Sequence, residues 1–440
     1  MKKTRQRIAT VLTALLTVGI IAVPAFAGSI GSNGVYTGND TTINIPKGIV
    51  VINDGFTKTY TPNVTFKFSA TPATVTGMSV SDGSSEVDIQ AGPVGGLKGS
   101  NDDGTASVVF ASREVVESTD GATSLQEEID ENISFQVDLS KFTSPGVYRY
   151  TIEDVTSKEA LYQAGIQRSG DYDTTRELDV YIQHNENDGS LEVQGYVLTD
   201  DVPGEDGKII DGKYKVPGYT VEPTPGDVIV TQEDGQDGQP GTADDVFTVT
   251  YGGADSGDRY ISYNFDITKE VTGNMGDKEH SFPFEITVET PDGFTVDEHV
   301  YGVKGTGTAA ESDGTFTTAL KNAEVFHVYG VNPVAAVTVT ETNDTTNTYK
   351  VSTSLSADVT PVAAGGQASA NFVASDYATK NSATNVAADV TGAADLTVTN
   401  RLNMDSPTGF LMRIAPFAAL IALAGVLFGV SKIRTKKREE

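Results

Sequence analysis

Apolar and polar residues alternate along most of this chain with a period of two, the mark of a strand half buried in a sheet. Ile43, Ile45, Ile49 and Val51 share one phase with Lys47 among them, and Tyr148, Tyr150 and Ile152 share another that ends on Asp154. Runs at Thr105 to Ala111, Ile133 to Val137, Leu178 to Ile182 and Leu191 to Val197 predict further strands, with Gly, Asp and Pro turns between them. Asn63 to Ser69 and Ser281 to Glu289 each alternate in the same way and each follow a lysine-bearing strand. This repetition predicts two sandwich domains of related topology, placed at 28–258 and 259–403. The Gly/Asp/Pro-rich stretch 201–245 reads as a long loop with a short strand at Asp227 to Thr231, and the only helical candidate is Leu125 to Glu131.

Phase also tells which side chains point inward, because residues two apart share a strand face. Lys269 lies in a row with Phe265, Ile267 and Val271, Glu341 with Val337 and Val339, and Asn400 with Leu396, Val398 and Leu402. Burying any such group alone is costly, so the three are expected to meet in the core. On phase alone two outcomes are open: a hydrogen-bonded Lys/Glu/Asn cluster, or an intramolecular isopeptide bond. In the second, desolvation lowers the lysine pKa and raises the glutamate pKa, leaving a neutral nucleophilic amine beside a protonated acid. Glu341 then polarises the Asn400 carboxamide and relays the proton that leaves with ammonia, while folding supplies the proximity. Such a reaction runs once per molecule, so the chain is not expected to be an enzyme in the turnover sense.

Composition agrees with strands and turns: Gly 45 and Pro 17 in 440 residues favour an all-β, two-domain ectodomain. The formal net charge of -29 argues against nucleic acid as a partner, since binding phosphates needs clustered Lys and Arg. Without cysteine, no disulfide can reinforce the domains. Both ends carry targeting patterns. Lys2, Lys3, Arg5 and Arg7 precede an apolar run from Ile8 to Val23, and Ala25-Phe26-Ala27 has the small-residue pattern of a cleavage site, so 1–27 reads as a signal peptide. At the other end, Asp405-Ser406-Pro407-Thr408-Gly409 leads to an apolar run from Ile414 to Val430 and then to Lys432, Arg434, Lys436, Lys437 and Arg438. The run is near the lower length limit for a membrane helix, and the basic tail stays cytoplasmic. Segment 404–440 thus reads as a sorting signal, transmembrane helix and tail, with a plain single-pass anchor as the simpler alternative.

The sorting residues resemble the (Q/E)-V-P-T-G signal of Gram-positive pilins, with Asp405 and Ser406 replacing its first two positions. Ile267-Thr268-Lys269-Glu270-Val271-Thr272-Gly273, Val339-Thr340-Glu341 and Val398-Thr399-Asn400 resemble the Lys, Glu and Asn strands of the FctA-like major pilins of streptococci. Ile414-Ala415-Pro416-Phe417 is similar to that family's end. Pro145-Gly146-Val147-Tyr148-Arg149-Tyr150-Thr151-Ile152 and Tyr172-Asp173-Thr174-Thr175 resemble its Gly-Val-Tyr-x-Tyr strand and its Tyr-Asp-Thr-Thr turn. The resemblance implies two tandem immunoglobulin-like, CnaB-type β-sandwich domains in the shaft subunit of a sortase-assembled pilus, where isopeptide bonds resist force and proteases. It further implies that a sortase cleaves between Thr408 and Gly409 and passes the Thr408 acyl group to an amine. Expected partners are the sortase, neighbouring pilin subunits and peptidoglycan at the cell wall, with a host surface ligand as a further candidate.

In the first domain Lys47 lies inward and suits the nucleophile. The matched family strand places the catalytic acid at Asp154, and spacing back from Lys269 lands on Asp258, where the family has Asn. A Lys47–Asp258 bond would release water instead of ammonia. The strand Phe247, Val249, Tyr251 offers no amide in register, and Asp255 and Asn264 are weaker substitutes.

Other chemistry finds little support. Asp234 to Asp245 spaces acidic residues at calcium-like intervals but lacks the EF-hand spacing and its closing Glu. His184, His280, His299 and His327 have no metal spacing, so no metal or cofactor is expected. Ala254-Asp255-Ser256-Gly257 lacks the flanking glycines of a serine nucleophile turn, and Gly302 to Gly307 lacks a strand-helix context for phosphate. Lys208, Lys213 and Lys215 are candidate acceptors for the Thr408 acyl group. The rival readings are a wall-anchored adhesin that never polymerises and, remotely, a secreted hydrolase.

Overall fold

A computed structural model describes residues 28–31, 34–81, 86–168, 173–200, 209–210, 213–219, 228–233, 246–251, 257–290, 299–354, 356–373 and 394–404. The expected signal peptide, the Asp234 to Asp245 loop, Asp255, Lys208 and the sorting segment with Pro407, Thr408 and Gly409 lie outside the described residues. Among the described residues, no helix is long and apolar enough to cross a membrane.

The structure is built almost wholly from strands, arranged as two sandwiches with separate cores. In the first, the strand Thr42–Asn53 carries Ile43, Ile45, Lys47, Ile49 and Val51 inward, all essentially inaccessible to solvent. It pairs antiparallel along its whole length with Leu125–Val137 and, on its other edge, parallel with the short strand Asp258–Ile261. Facing this sheet is a second one in which Leu191–Asp200, Thr175–His184, Gly146–Asp154, Val64–Pro72 and Ala106–Phe110 are successive neighbours. Phe66, Phe68, Tyr150, Ile152, Leu178 and Val180 fill the space between the sheets. A small hairpin, Ser79–Ser81 with Glu86–Ala91, covers part of the outer face and buries Val80 and Ile89 against Val147 and Tyr181.

Leu125 to Glu131 is strand, not helix. Leu125, Ile129 and Ile133 recur every four residues, a spacing that keeps them together on a helix but also on one face of a strand. Pairing with the lysine strand decides between the two. The described helices are instead the α-helix Lys158–Gln163, capped by Ser157 Oγ accepting from the Ala160 amide and burying Leu161, and a single 3-10 turn at Leu139–Lys141. In the stretch expected to be loop, short strands occur at Ile209–Ile210 and Lys213–Lys215, and Val228–Glu233 pairs with Val246–Tyr251.

The closing strand of the first sandwich runs through buried Ser262 directly into Tyr263–Thr272, the lysine strand of the second. That strand lies between Val325–Val331, antiparallel, and Ala394–Arg401, parallel. The facing sheet orders Thr315–Leu320, Phe282–Glu289, Ala336–Thr342 and Gln367–Val373. The two sandwiches are joined by more than the chain. Phe56 stacks on Tyr329 with centroids 4.4 Å apart, the Tyr301 hydroxyl donates to Glu114 at 2.6 Å, and Tyr60 donates to Glu311 at 2.8 Å. Asn264 bridges the junction, donating to Asn53 Oδ1 and receiving the Gly330 amide.

Candidate functional site

Both sandwiches place their chemistry by the same register. Asn400 sits opposite Val271, two residues beyond Lys269 on the parallel neighbour. Asp258, one residue before the Arg259–Val50 pair, falls opposite Ile49, two residues beyond Lys47. The acids come from the facing sheets: Glu341 pairs with Phe284 and Asp154 with Phe68. Two residues before each of these phenylalanines, another ring covers the amine. The Phe282 centroid is 4.4 Å from Lys269 Nζ, and the Phe66 centroid is 4.6 Å from Lys47 Nζ. The amine, the acid and the acceptor thus each come from a separate strand, and a Phe-x-Phe strand walls them off from water.

In the second sandwich the three sequence-predicted residues meet. Lys269 Nζ donates to Glu341 Oε2 at 2.5 Å, and Asn400 Nδ2 donates to Glu341 Oε1 at 2.6 Å. All three are buried, with Lys269 and Asn400 fully so. Burial pushes the Lys269 amine down to about 8, although Glu341 opposes the shift. It also pushes the Glu341 carboxyl up against the pull of Lys269 and Asn400. Both shifts move the pair toward neutral amine and protonated acid, because desolvation penalises both charges. Asn400 Oδ1 is buried with no hydrogen-bond partner, while the Nδ2 of the same carboxamide meets an acid inclined to hold a proton. The site can make the Lys269 amine a nucleophile and Asn400 an electrophile.

The first sandwich has the same frame with different groups. Lys47 Nζ lies 2.7 Å from Asp258 Oδ2, both fully buried, and also donates to the Gly48 carbonyl. Asp154 is buried while Glu153 is exposed, as the phase predicts. A residue absent from the sequence reading enters between the acids. Arg168 donates from Nε to Asp258 Oδ1 at 2.7 Å, and from Nη2 to Asp258 Oδ2 at 2.8 Å and Asp154 Oδ2 at 2.7 Å. Asp154 Oδ1 takes the Thr156 amide and hydroxyl. Burial pushes the Asp258 carboxyl up, but the Lys47 and Arg168 charges outweigh it and hold it below the ordinary aspartate value. Tyr219 closes the edge of the lysine strand beyond Asp258, exchanging backbone hydrogen bonds with Pro46 and Gly48. Gly218 permits that approach, since a Cβ there would stand 2.3 Å from the Pro46 carbonyl oxygen.

Asn264 is held at the junction between the sandwiches, so it is not part of the Lys47 cluster. Lys215 is buried, which does not suit an amine offered to another subunit.

A family model described as a domain of unknown function (DUF7601) matches residues 263–401, the span from the second lysine strand to its acceptor strand. None of the curated proteins matches the chain. Among solved structures, the major pilin from Streptococcus pyogenes is similar over 83% of this chain and 100% of its own, at 18% identity and a TM-score of 0.45. The T3.2 major pilin from Streptococcus pyogenes serotype GAS13637 is similar over 84% of this chain and 99% of its own, at 17% identity and a TM-score of 0.43. A pilus-presented adhesin, Spy0125 (Cpa), covers 81% of this chain with 100% of its own, at 12% identity and a TM-score of 0.25.

Proposed function

We propose that this protein is a structural subunit of a sortase-assembled surface fibre, and that its second sandwich is closed by an isopeptide bond between Lys269 and Asn400. The observation that carries the bond is the buried contact of Glu341 with both reacting groups, at 2.5 and 2.6 Å. The neutral Lys269 amine attacks Asn400 Cγ while protonated Glu341 hydrogen-bonds the carboxamide oxygen. The C–N bond to the lysine forms and the bond to Nδ2 breaks. Glu341 carries the proton from the amine to the departing nitrogen, so ammonia leaves and the acid is restored. Proximity does most of the work, because the three strands fix the groups before any chemistry begins.

The fibre assignment rests on the sequence at the two ends: a signal peptide over 1–27 and a sorting segment in which Thr408 is the acyl donor. A chain held in the membrane by its C-terminal helix presents Thr408-Gly409 to a sortase, which then joins it to a neighbouring subunit and at last to peptidoglycan.

Intact mass spectrometry of the ectodomain tests the bond. The expected mass is short by one ammonia, with Lys269 and Asn400 in one cross-linked peptide; Glu341→Ala should restore the full mass. An unshifted wild-type mass would refute the bond. Polymerisation is read separately from detergent-resistant high-mass ladders on the cell surface, which Thr408→Ala should abolish.

A further inference from the structure

We infer that Arg168 holds the first sandwich's Lys47–Asp258 pair in an uncondensed, ionic state, so that this domain is closed by charge where the second is closed by a covalent bond. The inference deepens the proposed function, because it takes the second site as the reactive standard against which the first differs.

Condensation of Lys47 with Asp258 would break an amine N–H bond and the carboxyl C–OH bond, form a C–N bond and release water. It requires a neutral amine and a protonated carboxyl at the same moment. The second sandwich can supply this state by moving one proton within the Lys269–Glu341 pair, since Asn400 is neutral throughout. In the first, the lysine's ion-pair partner Asp258 is the acceptor itself, and it is bound in turn by a guanidinium that also holds Asp154. Arg168 is the direct cross-strand partner of Asp258 through the antiparallel pairing of Ile166–Arg168 with the closing strand. Its fork grips both oxygens of Asp258, a geometry suited to a carboxylate and not to a carboxylic acid. Its Nη2 also reaches Asp154, the position matching the acid that would have to donate a proton. Lys47 and Arg168 are thus both ion-paired to Asp258, which favours the charged forms without any proton transfer. The lowered Asp258 pKa runs the same way, opposite to the raised Glu341. Arg168 thus acts through its neighbours and is a positioning residue with a blocking effect.

The test is intact mass and peptide mapping of the whole ectodomain, both sandwiches included, for wild type, Arg168→Gln and Asp258→Asn. Wild type is expected to lose ammonia at Lys269–Asn400 and to yield Lys47 and Asp258 in separate, unmodified peptides. Arg168→Gln, which removes the charge that fixes the carboxylate, is expected to lose one further molecule of water, with Lys47 joined to Asp258. Asp258→Asn supplies a neutral acceptor that the guanidinium cannot hold as an anion, and is expected to lose a second ammonia at Lys47. It keeps the question decidable if Arg168→Gln does not fold. A wild-type chain already joined at Lys47–Asp258 overturns the inference, as does a failure of both variants to join Lys47. Because losses are assigned to peptides, a chain unreacted at Lys269–Asn400 counts against the reading of the second sandwich alone; the variants still decide the role of Arg168.

Discussion

Lys269 and Glu341 differ from an ordinary ion pair in the direction in which each is pushed. A salt bridge on the surface raises the lysine and lowers the acid, whereas here burial wins for both, taking Lys269 to about 8 and Glu341 upward. The reactive form carries one proton, on the acid. Below the raised glutamate pKa the pair holds two protons and the amine is an unreactive ammonium; above about 8 the pair loses its last proton and Glu341 has none to give. Between the two, the share of neutral amine and protonated acid is constant with pH, since both tautomers of the pair hold one proton. The rate of bond formation should therefore be bell-shaped with a flat top, its alkaline limb near 8. Chain made by cell-free synthesis at graded pH, with ammonia loss followed by mass against time, would check this. A rate still rising well above that limb would mean that no protonated acid is required.

At the scale of elements, the lysine strand, the acceptor strand and the Phe-x-Phe strand form the working unit, and most of it was legible in the sequence. Period-two phase placed Lys47, Lys269, Glu341, Asn400 and Asp154 inward, and the structure buries all five. Phase gives orientation but not partners, so it cannot reveal Arg168, which ends a three-residue strand and reaches Asp258 only by cross-strand pairing over a separation of 90 residues. Leu125 to Glu131 is ambiguous for a related reason, since a spacing of four fits both a helix and a strand face until the neighbouring strand is known. The aromatic wall was present in the letters of Phe66-Lys67-Phe68 and Phe282-Pro283-Phe284, yet its role depends on the facing sheet. If Phe282 desolvates the amine, Phe282→Ala should slow bond formation beyond its effect on stability, which for a buried Phe→Ala is about 3–5 kcal/mol. Phe316→Ala, in the same core and packed on Phe326, is the matched control. Incomplete ammonia loss is expected for the first variant and complete loss for the second when both are sampled after equal times. Equal extents would show that the ring only packs.

For the whole molecule, the order of connections decides how tension travels. The closing strand of the first sandwich continues through Ser262 into the lysine strand of the second, and the chain leaves the second sandwich by Ala394–Arg401, parallel to and beside that lysine strand. Pulling on the ends shears these two strands along one another. The proposed bond from Lys269 to Asn400 would carry the load straight across, so residues 270–399 would lie off the force path and could not be drawn out. The same loop closure stabilises by roughly 5 kcal/mol in a chain-entropy treatment, but its larger effect is kinetic, because strands tied together cannot separate whatever the equilibrium. On the inference that Lys47 is held by charge alone, the first sandwich would have no such bypass and should yield under load. In single-molecule stretching the wild-type ectodomain is expected to release length from the first sandwich alone. Glu341→Ala should add a second event of roughly 450 Å, the extended length of residues 270–399 at about 3.5 Å each. Release of that length from the wild type would rule out the covalent bypass, and with it the proposed Lys269–Asn400 bond.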